Sequence, residues 1–163
     1  MTGTAAGLYN ATVDLLERNL TAGRGSRPYL LTEQRAWSYQ EVCEAADAAG
    51  AALLDLGLAA GDRVVLSTRD RPEFVITFWG AMKAGLVPVP VAEGLSASDI
   101  NFILTDSEAR VAVCDPASAP AVMPAVEGLD VICLMAGGPA ADGARSWSDV
   151  CGRQATQIGR AHV

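Results

Sequence analysis

Short, uninterrupted apolar runs recur along the sequence and alternate with segments of helical periodicity. The runs are VVLST from residue 64, LVPVPV from 86, RVAVC from 110 and LDVICL from 129. A continuous apolar strand is typical of a parallel sheet that is buried on both faces, because right-handed crossovers place the connecting helices on those faces. The sequence therefore predicts an α/β fold with a mostly parallel sheet flanked by helices.

Residues 39–56 show the clearest helical periodicity. Ser38 and Glu41 have the spacing of a capping box, in which each side chain accepts a hydrogen bond from the other residue's backbone N–H. Gly57 can adopt the left-handed conformation that ends a helix. The apolar face of the predicted helix carries Val42, Ala45, Ala49, Leu53 and Leu56.

Similar boundary signals predict the remaining elements. Asn10 caps a first helix with Val13, Leu16 and Leu20 on one face, and two short strands follow in YLLT and AWSY. Further helices are predicted to begin at Pro72, at Ser96 with Asp99, and at WSDV with Ser146 or Ser148 as the cap, and a helical turn is predicted after Asp115-Pro116. Pro88 and Pro90 donate no ladder hydrogen bond, so their strand is predicted to be distorted or at an edge. Residues 135–146 are interpreted as a polar loop.

Length and charge exclude several classes of protein. A chain of 163 residues fits one domain. The formal net charge of −7 argues against nucleic acid and anionic membranes as partners. The longest apolar stretch, residues 74–82, is far shorter than the roughly 20 residues that span a bilayer. We therefore expect a cytoplasmic protein without membrane insertion.

The four cysteines, Cys43, Cys114, Cys133 and Cys151, form no CxxC pair. Two of them, Cys114 and Cys133, lie within predicted buried strands. Structural thiols are therefore favoured over metal ligands, and no metal site is predicted.

Two segments are candidates for anion binding. Residues 137–143, GGPAADG, contain closely spaced glycines but no Lys, Ser or Thr, and Asp142 would repel an anion, so a solvated loop is favoured over a phosphate loop. Arg69 and Arg71 follow the VVLST strand at the end where α/β sheets usually bind ligands. The favoured interpretation is that these arginines pair with Asp70 or Glu73, with ligand binding as the alternative.

Other conspicuous residues have structural explanations. Lys83 favours the negative end of a helix dipole, and Trp37, Trp79 and Trp147 are predicted to pack in the interior. The lone histidine, His162, stands in the C-terminal tail, so the sequence supplies no Ser-His-Asp set and no paired carboxylates. No catalytic residue is assigned, the cofactor-binding residues are unknown, and the residues alone leave the function undetermined.

Several motifs in combination resemble a known family. They are LLERNL and GRGSRPYL near the start, WSYQEV before the long helix, the GDRV turn, FWGAMKAGLVPVPV, and ILTDSEARV. Across residues 8–135 the chain resembles the N-terminal part of the AMP-forming acyl-CoA synthetase (adenylate-forming) family, and most closely its benzoate-CoA ligase branch.

The resemblance implies a two-step reaction for the parent enzyme. A small-molecule carboxylic acid, aromatic in this branch, attacks the α-phosphate of ATP in the presence of Mg²⁺, and the thiol of coenzyme A then displaces AMP. The family binds phosphate through a TSGTTGxPK-type loop and a lysine on a C-terminal domain, and this sequence contains neither. Some relatives have an arginine after the VPVP-like strand, where this sequence has Glu93 and Gly94.

These departures lead to a domain assignment. Residues 1–157 are interpreted as an incomplete N-terminal part of an AMP-binding domain, inactive without the missing remainder of its own chain. Residues 158–163, IGRAHV, are interpreted as a non-biological tail, because the codons ATC GGA AGA GCA CAC GTC would encode them and resemble a sequencing adapter. Alternatives are a non-enzymatic α/β binding or interaction module, or an adenylation domain of another subfamily.

The first prediction concerns the isolated chain. A parallel sheet that lacks later segments exposes apolar surface, to which residues 74–83 are expected to contribute. We expect residues 1–157 to express poorly or self-associate, and to bind neither ATP nor coenzyme A. Sedimentation and calorimetric titration test this, and a stable monomer that unfolds cooperatively, or micromolar ATP affinity, would contradict it.

Overall fold

The structure, a computed structural model, describes residues 10–158, with only the helical backbone described for residues 153–158. The predicted tail, residues 158–163, lies outside the described residues except for the backbone of Ile158, and so does His162.

An antiparallel hairpin precedes a five-stranded parallel sheet with the strand order β4-β3-β5-β6-β7. The predicted α/β class and the edge position of the proline-containing strand, β4, are confirmed. The strands are β1 (Pro28–Leu31), β2 (Ala36–Ser38), β3 (Arg63–Ser67), β4 (Val87–Pro90), β5 (Val111–Cys114), β6 (Ile132–Met135) and β7 (Ala144–Ser146), and the helices are α1 (Arg18–Thr21), α2 (Tyr39–Asp55), α3 (Pro72–Lys83), α4 (Ala97–Asp106), α5 (Ala119–Val126) and α6 (Trp147–Ile158), with a π-helical turn at Val13–Glu17 before α1.

Successive side chains of each strand point to opposite faces of the sheet, and this divides the core into two layers. Val64 and Leu66 of β3 pack into the layer that contains α2, α3 and the start of α6, whereas Val65 packs into the layer that contains α4 and α5. In β6, Leu134 faces the first layer and Cys133 the second. The sheet is therefore buried on both faces, as its apolar strands predict.

The predicted caps of α2 and α4 are confirmed. Ser38 and Glu41 form a complete capping box at α2, and Ser96 and Asp99 form another at α4. Gly57 has φ +91° after α2. These local hydrogen bonds satisfy backbone groups that a helix end leaves free, so short sequence signals sufficed to locate them.

Two expectations are wrong. Residues 144–146 of the predicted loop form β7, which pairs with β6 and packs Ala144 against the layer that contains α4 and α5. Val13 is exposed while Leu16 is buried, since the π-helical turn changes the spacing of the face. The contribution of residues 74–83 to an exposed apolar surface stays a prediction, since the side chains of α3 are buried or half-buried. The large apolar side chains that are exposed in the described part of the chain are Val13, Leu15, Leu31, Leu54, Val87 and Phe102.

Helices α2 and α3 approach each other closely where Gly50 faces Gly80. A Cβ added to Gly80 would lie 2.5 Å from the carbonyl oxygen of Ala46 and 2.9 Å from the nitrogen of Gly50. A Cβ added to Gly50 would lie 2.6 Å from the carbonyl oxygen of Gly80. Because these neighbours are backbone atoms of packed helices, they cannot rotate away from the new group, so both positions require glycine.

We therefore expect Gly80→Ala to lower the free energy of unfolding by about 3 kcal/mol, in the upper range for an overpacked core. The matched control is Gly152→Ala in α6, where the nearest described atom to an added Cβ would be the Cβ of Ser148, at 3.9 Å. That control should stabilise by up to about 1 kcal/mol, because alanine is the better helix former. Urea unfolding measures both, and equal midpoints for the two variants would refute the close-contact argument.

Candidate functional site

The candidate site lies where the sheet reverses its direction of growth. From β3 the chain passes to β4 on one side and then crosses to β5 on the other, so the carboxyl ends of β3 and β5 border a topological switch point. Open α/β sheets bind ligands at such points. A cavity of about 100 Å³ opens there, lined by Ser67, Thr68, Arg69, Val91, Ala92, Glu93, Gly94, Asp115, Ala117 and Ser118.

Asp115 is the fully buried anion of this site. One carboxylate oxygen accepts hydrogen bonds from the backbone N–H groups of Ala117 and Ser118, both at 3.0 Å. The other accepts from Nε of Arg69 at 3.1 Å and from the backbone N–H of Arg69 at 3.4 Å. Burial alone would raise the pKa of Asp115, but these hydrogen bonds outweigh burial and lower it. The carboxylate is thus ionised and its hydrogen-bonding capacity is occupied.

Ser118 extends this link between the strand ends. Its hydroxyl donates to the carbonyl oxygen of Ser67 and accepts from the backbone N–H of Asp115 at 3.0 Å. Next to it, the buried hydroxyl oxygen of Thr68 has no hydrogen-bond partner. Since a buried hydroxyl without a partner is costly, Thr68 is the group of this cavity that is available to a ligand or a water molecule.

The two arginines behave differently from one another. Arg71 lies 3.5 Å from Glu73, as the sequence analysis favoured, and it also reaches the carbonyl oxygen of Gly137. Arg69 was expected to pair with Asp70 or Glu73, and that expectation is wrong. Its partner, Asp115, follows a different strand, so the pairing arises from the sheet order and has no sequence signal in either local segment.

These residues do not fit a triphosphate. Both guanidinium groups at the strand ends already contact carboxylates, and Glu93 lines the same cavity. Lys83 stands at the opposite end of α3, paired with Glu17 and Asp47. About 100 Å³ also falls below the roughly 300 Å³ at which small-molecule pockets begin. This cavity is therefore too small, and its arginine too well neutralised, for a triphosphate.

The remaining candidates have the structural roles that the sequence predicted. Trp79 donates to the hydroxyl of Tyr29 and Trp147 to that of Thr77, both at 2.8 Å. Trp37 packs beneath the guanidinium group of Arg35, 3.6 Å from the ring centroid. All four cysteines are buried thiols, which the apolar runs predicted for Cys114 and Cys133.

Two further kinds of feature are absent from the described residues. Residues 10–152 contain no group of three or more His, Cys, Asp or Glu side chains placed to hold a metal ion. No helix in the described part of the chain is long and apolar enough to cross a membrane.

Substitution of Asp115 tests the switch-point network. We expect Asp115→Asn to cost about 2 kcal/mol of stability at pH 7, because the amide turns a donor group toward N–H donors. The lowered pKa of Asp115 in the folded state means that this contribution is present above about pH 5 and is lost as the pH falls through that pKa.

Unfolding midpoints between pH 3 and 7 check this expectation, with Asp70→Asn as the exposed control that should differ little from the wild type at any pH. A destabilisation by Asp115→Asn that stays constant over this range would contradict the role of the ionised carboxylate.

Curated relatives include several CoA ligases. The chain is 36% identical over 121 residues to a 4-hydroxybenzoate–CoA/benzoate–CoA ligase of Rhodopseudomonas palustris, an alignment that covers 74% of this chain and 22% of the relative. It is 40% identical over 117 residues to a benzoate–CoA ligase of Thauera aromatica, covering 71% and 22%. The alignments thus span less than a quarter of the length of these relatives.

Solved structures agree with these relatives. An anthranilate–CoA ligase in complex with anthranoyl-AMP superposes with a TM-score of 0.80 at 31% identity, covering 89% of this chain and 28% of that one. A benzoate–CoA ligase of Burkholderia xenovorans superposes with a TM-score of 0.79 at 26% identity and the same coverage. The family model for AMP-binding enzymes matches residues 16–156. The chain belongs to the AMP-binding, adenylate-forming enzyme family.

Proposed function

We propose that this chain supplies the N-terminal section of the AMP-binding domain of an ATP-dependent carboxylic acid–CoA ligase, with an aromatic acid as the substrate. The observation that carries the proposal is the identity of 36% and 40% to two benzoate ligases over more than two thirds of the chain. Relatives named for fatty acids also match, at 38% identity, but over only about half of the chain.

In this reaction, ATP with Mg²⁺ supplies the activating AMP group and coenzyme A supplies the thiol that accepts the acyl group. The role of this section is to hold the strand ends in register. Asp115 joins the loop after β3 to the start of α5 through Arg69 and Ser118, and this brings the segment around Glu93 beside them. Such fixed loops at a switch point orient a neighbouring ligand without contacting its reacting atoms.

We further propose that residues 1–157 are inactive by themselves. Both arginines at the strand ends are engaged by carboxylates. Some coenzyme A-using relatives have an arginine shortly after the strand that corresponds to β4, where this sequence has Glu93 and Gly94. Neither feature favours contact of this section with the phosphates of ATP or coenzyme A. Residues 158–163 remain interpreted as a non-biological tail.

A different class of function has two observations in its favour. The ion-paired arginines and the small cavity also suit a non-enzymatic module that has kept the adenylating scaffold. Another adenylate-forming subfamily is the second alternative. The genomic reading frame downstream of Cys151 separates the first alternative from the ligase, since a phosphate loop ending in lysine supports the ligase and a native stop codon supports the module.

Substrate class is tested on the full-length enzyme by ATP–pyrophosphate exchange with benzoate, medium-chain fatty acids and amino acids in parallel. We expect exchange to be fastest with benzoate or a substituted benzoate. Exchange that is fastest with fatty acids would overturn the aromatic assignment, and exchange confined to amino acids would overturn the ligase assignment itself.

A further inference from the structure

The outer edge of β1 is free to pair with a further strand. In the described part of the chain, β1 pairs only with β2. The backbone N–H of Thr32 donates to the carbonyl oxygen of Arg35 across the hairpin. Successive residues of an extended backbone turn their polar groups to opposite edges, so the N–H and C=O of Leu31 point away from β2. The edge therefore offers both a donor and an acceptor to another strand.

The two edges of the five-stranded sheet are protected against such pairing. The N–H groups of Val87 and Val91 donate toward β3, so Pro88 and Pro90 occupy the outward-facing positions of β4, where they have no N–H to donate. At the other edge, the central residue of β7 is the exposed and charged Arg145. Proline and charge are common means of blocking an edge strand, and β1 has neither beyond its first residue.

An open groove lies beside this edge of β1. It has a volume of about 870 Å³ and lies between the hairpin and the first turn of α3. Its apolar lining consists of Leu30, Leu31, Pro72, Phe74 and Val75. Leu31, 74% exposed, is the most exposed large apolar side chain in the described part of the chain. A strand paired with β1 lies over this groove and covers Leu31.

Phe102 shows why exposure alone is not the argument. It is 67% exposed on α4, and the exposed residues around it on the outer face of the helix are Ser98, Thr105 and Asp106. A single apolar side chain on a polar helix face is a normal surface feature. Leu31 differs because a free strand edge and an apolar groove adjoin it.

Chain length indicates which molecule covers this edge. The anthranilate–CoA ligase shares the fold over 89% of this chain, although the match spans only 28% of the ligase. The remaining residues of such a polypeptide are tethered to this section, so their effective concentration at its surface is on the order of millimolar. A second, untethered copy of the chain competes poorly with a tethered segment.

We propose that a segment following residue 157 in the parent ligase chain pairs as a strand with the outer edge of β1, covers Leu31 and places an apolar side chain in the groove beside Phe74 and Val75. This inference depends on the proposed function, which supplies the parent chain. The added strand turns the two-stranded hairpin into a sheet of three strands, the smallest that is commonly stable in water.

Hydrogen exchange at single-residue resolution tests the strand pairing without any substitution. We expect the N–H of Leu31 to exchange at least about 100-fold more slowly in the full-length enzyme than in this chain, because it becomes hydrogen-bonded there. The N–H of Thr32, which is bonded within the hairpin, is the control and should be protected in both proteins. Equal slowing of the two amides would indicate a general stabilisation and overturn the proposal.

Thiol labelling tests the burial of the side chain. The four native cysteines of this section are buried, so a maleimide reports on an introduced thiol, with the modified peptide identified by mass spectrometry. Leu31→Cys should be labelled at least about tenfold more slowly in the full-length enzyme than in this chain, whereas the matched control Phe102→Cys should be labelled equally in both.

Three results would overturn the proposal. Equal labelling of Leu31→Cys in the two proteins would show that the parent chain leaves this edge exposed. Labelling in this chain that is slow and accelerates on dilution would identify a second copy as the occupant. A native stop codon soon after Cys151 would remove both the parent ligase and this proposal. Pyrophosphate exchange by the same full-length enzyme separates the remaining cases, because an active ligase with Leu31 exposed contradicts this inference alone.

Discussion

Burial of both faces of β3 and β5 is the constraint on which the rest of the structure depends. Every side chain of β5 and all but the first of β3 are buried, so helices must cover the sheet on each side. Helices α2, α3 and α6 cover one face, and α4 and α5 cover the other. The close contact of Gly50 with Gly80 follows from this requirement, because it allows α2 and α3 to lie side by side over the same strands.

The same constraint produces the candidate site. The crossover after β3 runs over one face of the sheet and the crossover before β5 runs over the other, so the loops that leave β3 and β5 diverge. Both strands continue at this edge of the sheet into polar loops. Asp115 then satisfies four N–H donors in a place where unpaired groups would be costly. The site is thus built to hold loops together, which agrees with the proposed supporting role beside a phosphate-binding segment that this sequence does not contain.

The contact between the thiols of Cys114 and Cys133, in the layer that contains α4 and α5, also depends on strand order and register. Cys133 and Cys114 are unremarkable as residues of separate apolar runs. Parallel pairing of β5 with β6 places Cys114 beside Met135 and Ala112 beside Cys133, which brings the two thiols within 3.6 Å. A cysteine count could not reveal this proximity, since the two residues lie 19 positions apart in the chain.

The sequence by itself determined the α/β class, the edge position of β4 and the ends of α2 and α4, because these depend on local hydrogen bonds and on apolar periodicity. Its combined motifs also identified the family. Only the tertiary structure decided that β7 completes the sheet, that Arg69 pairs with Asp115, that Val13 is exposed, and that the thiols of Cys114 and Cys133 meet in the core. Each of these depends on strand order, register or a change in helix pitch. These features bring together residues that are distant in the chain, so the local sequence around each residue does not predict the contact.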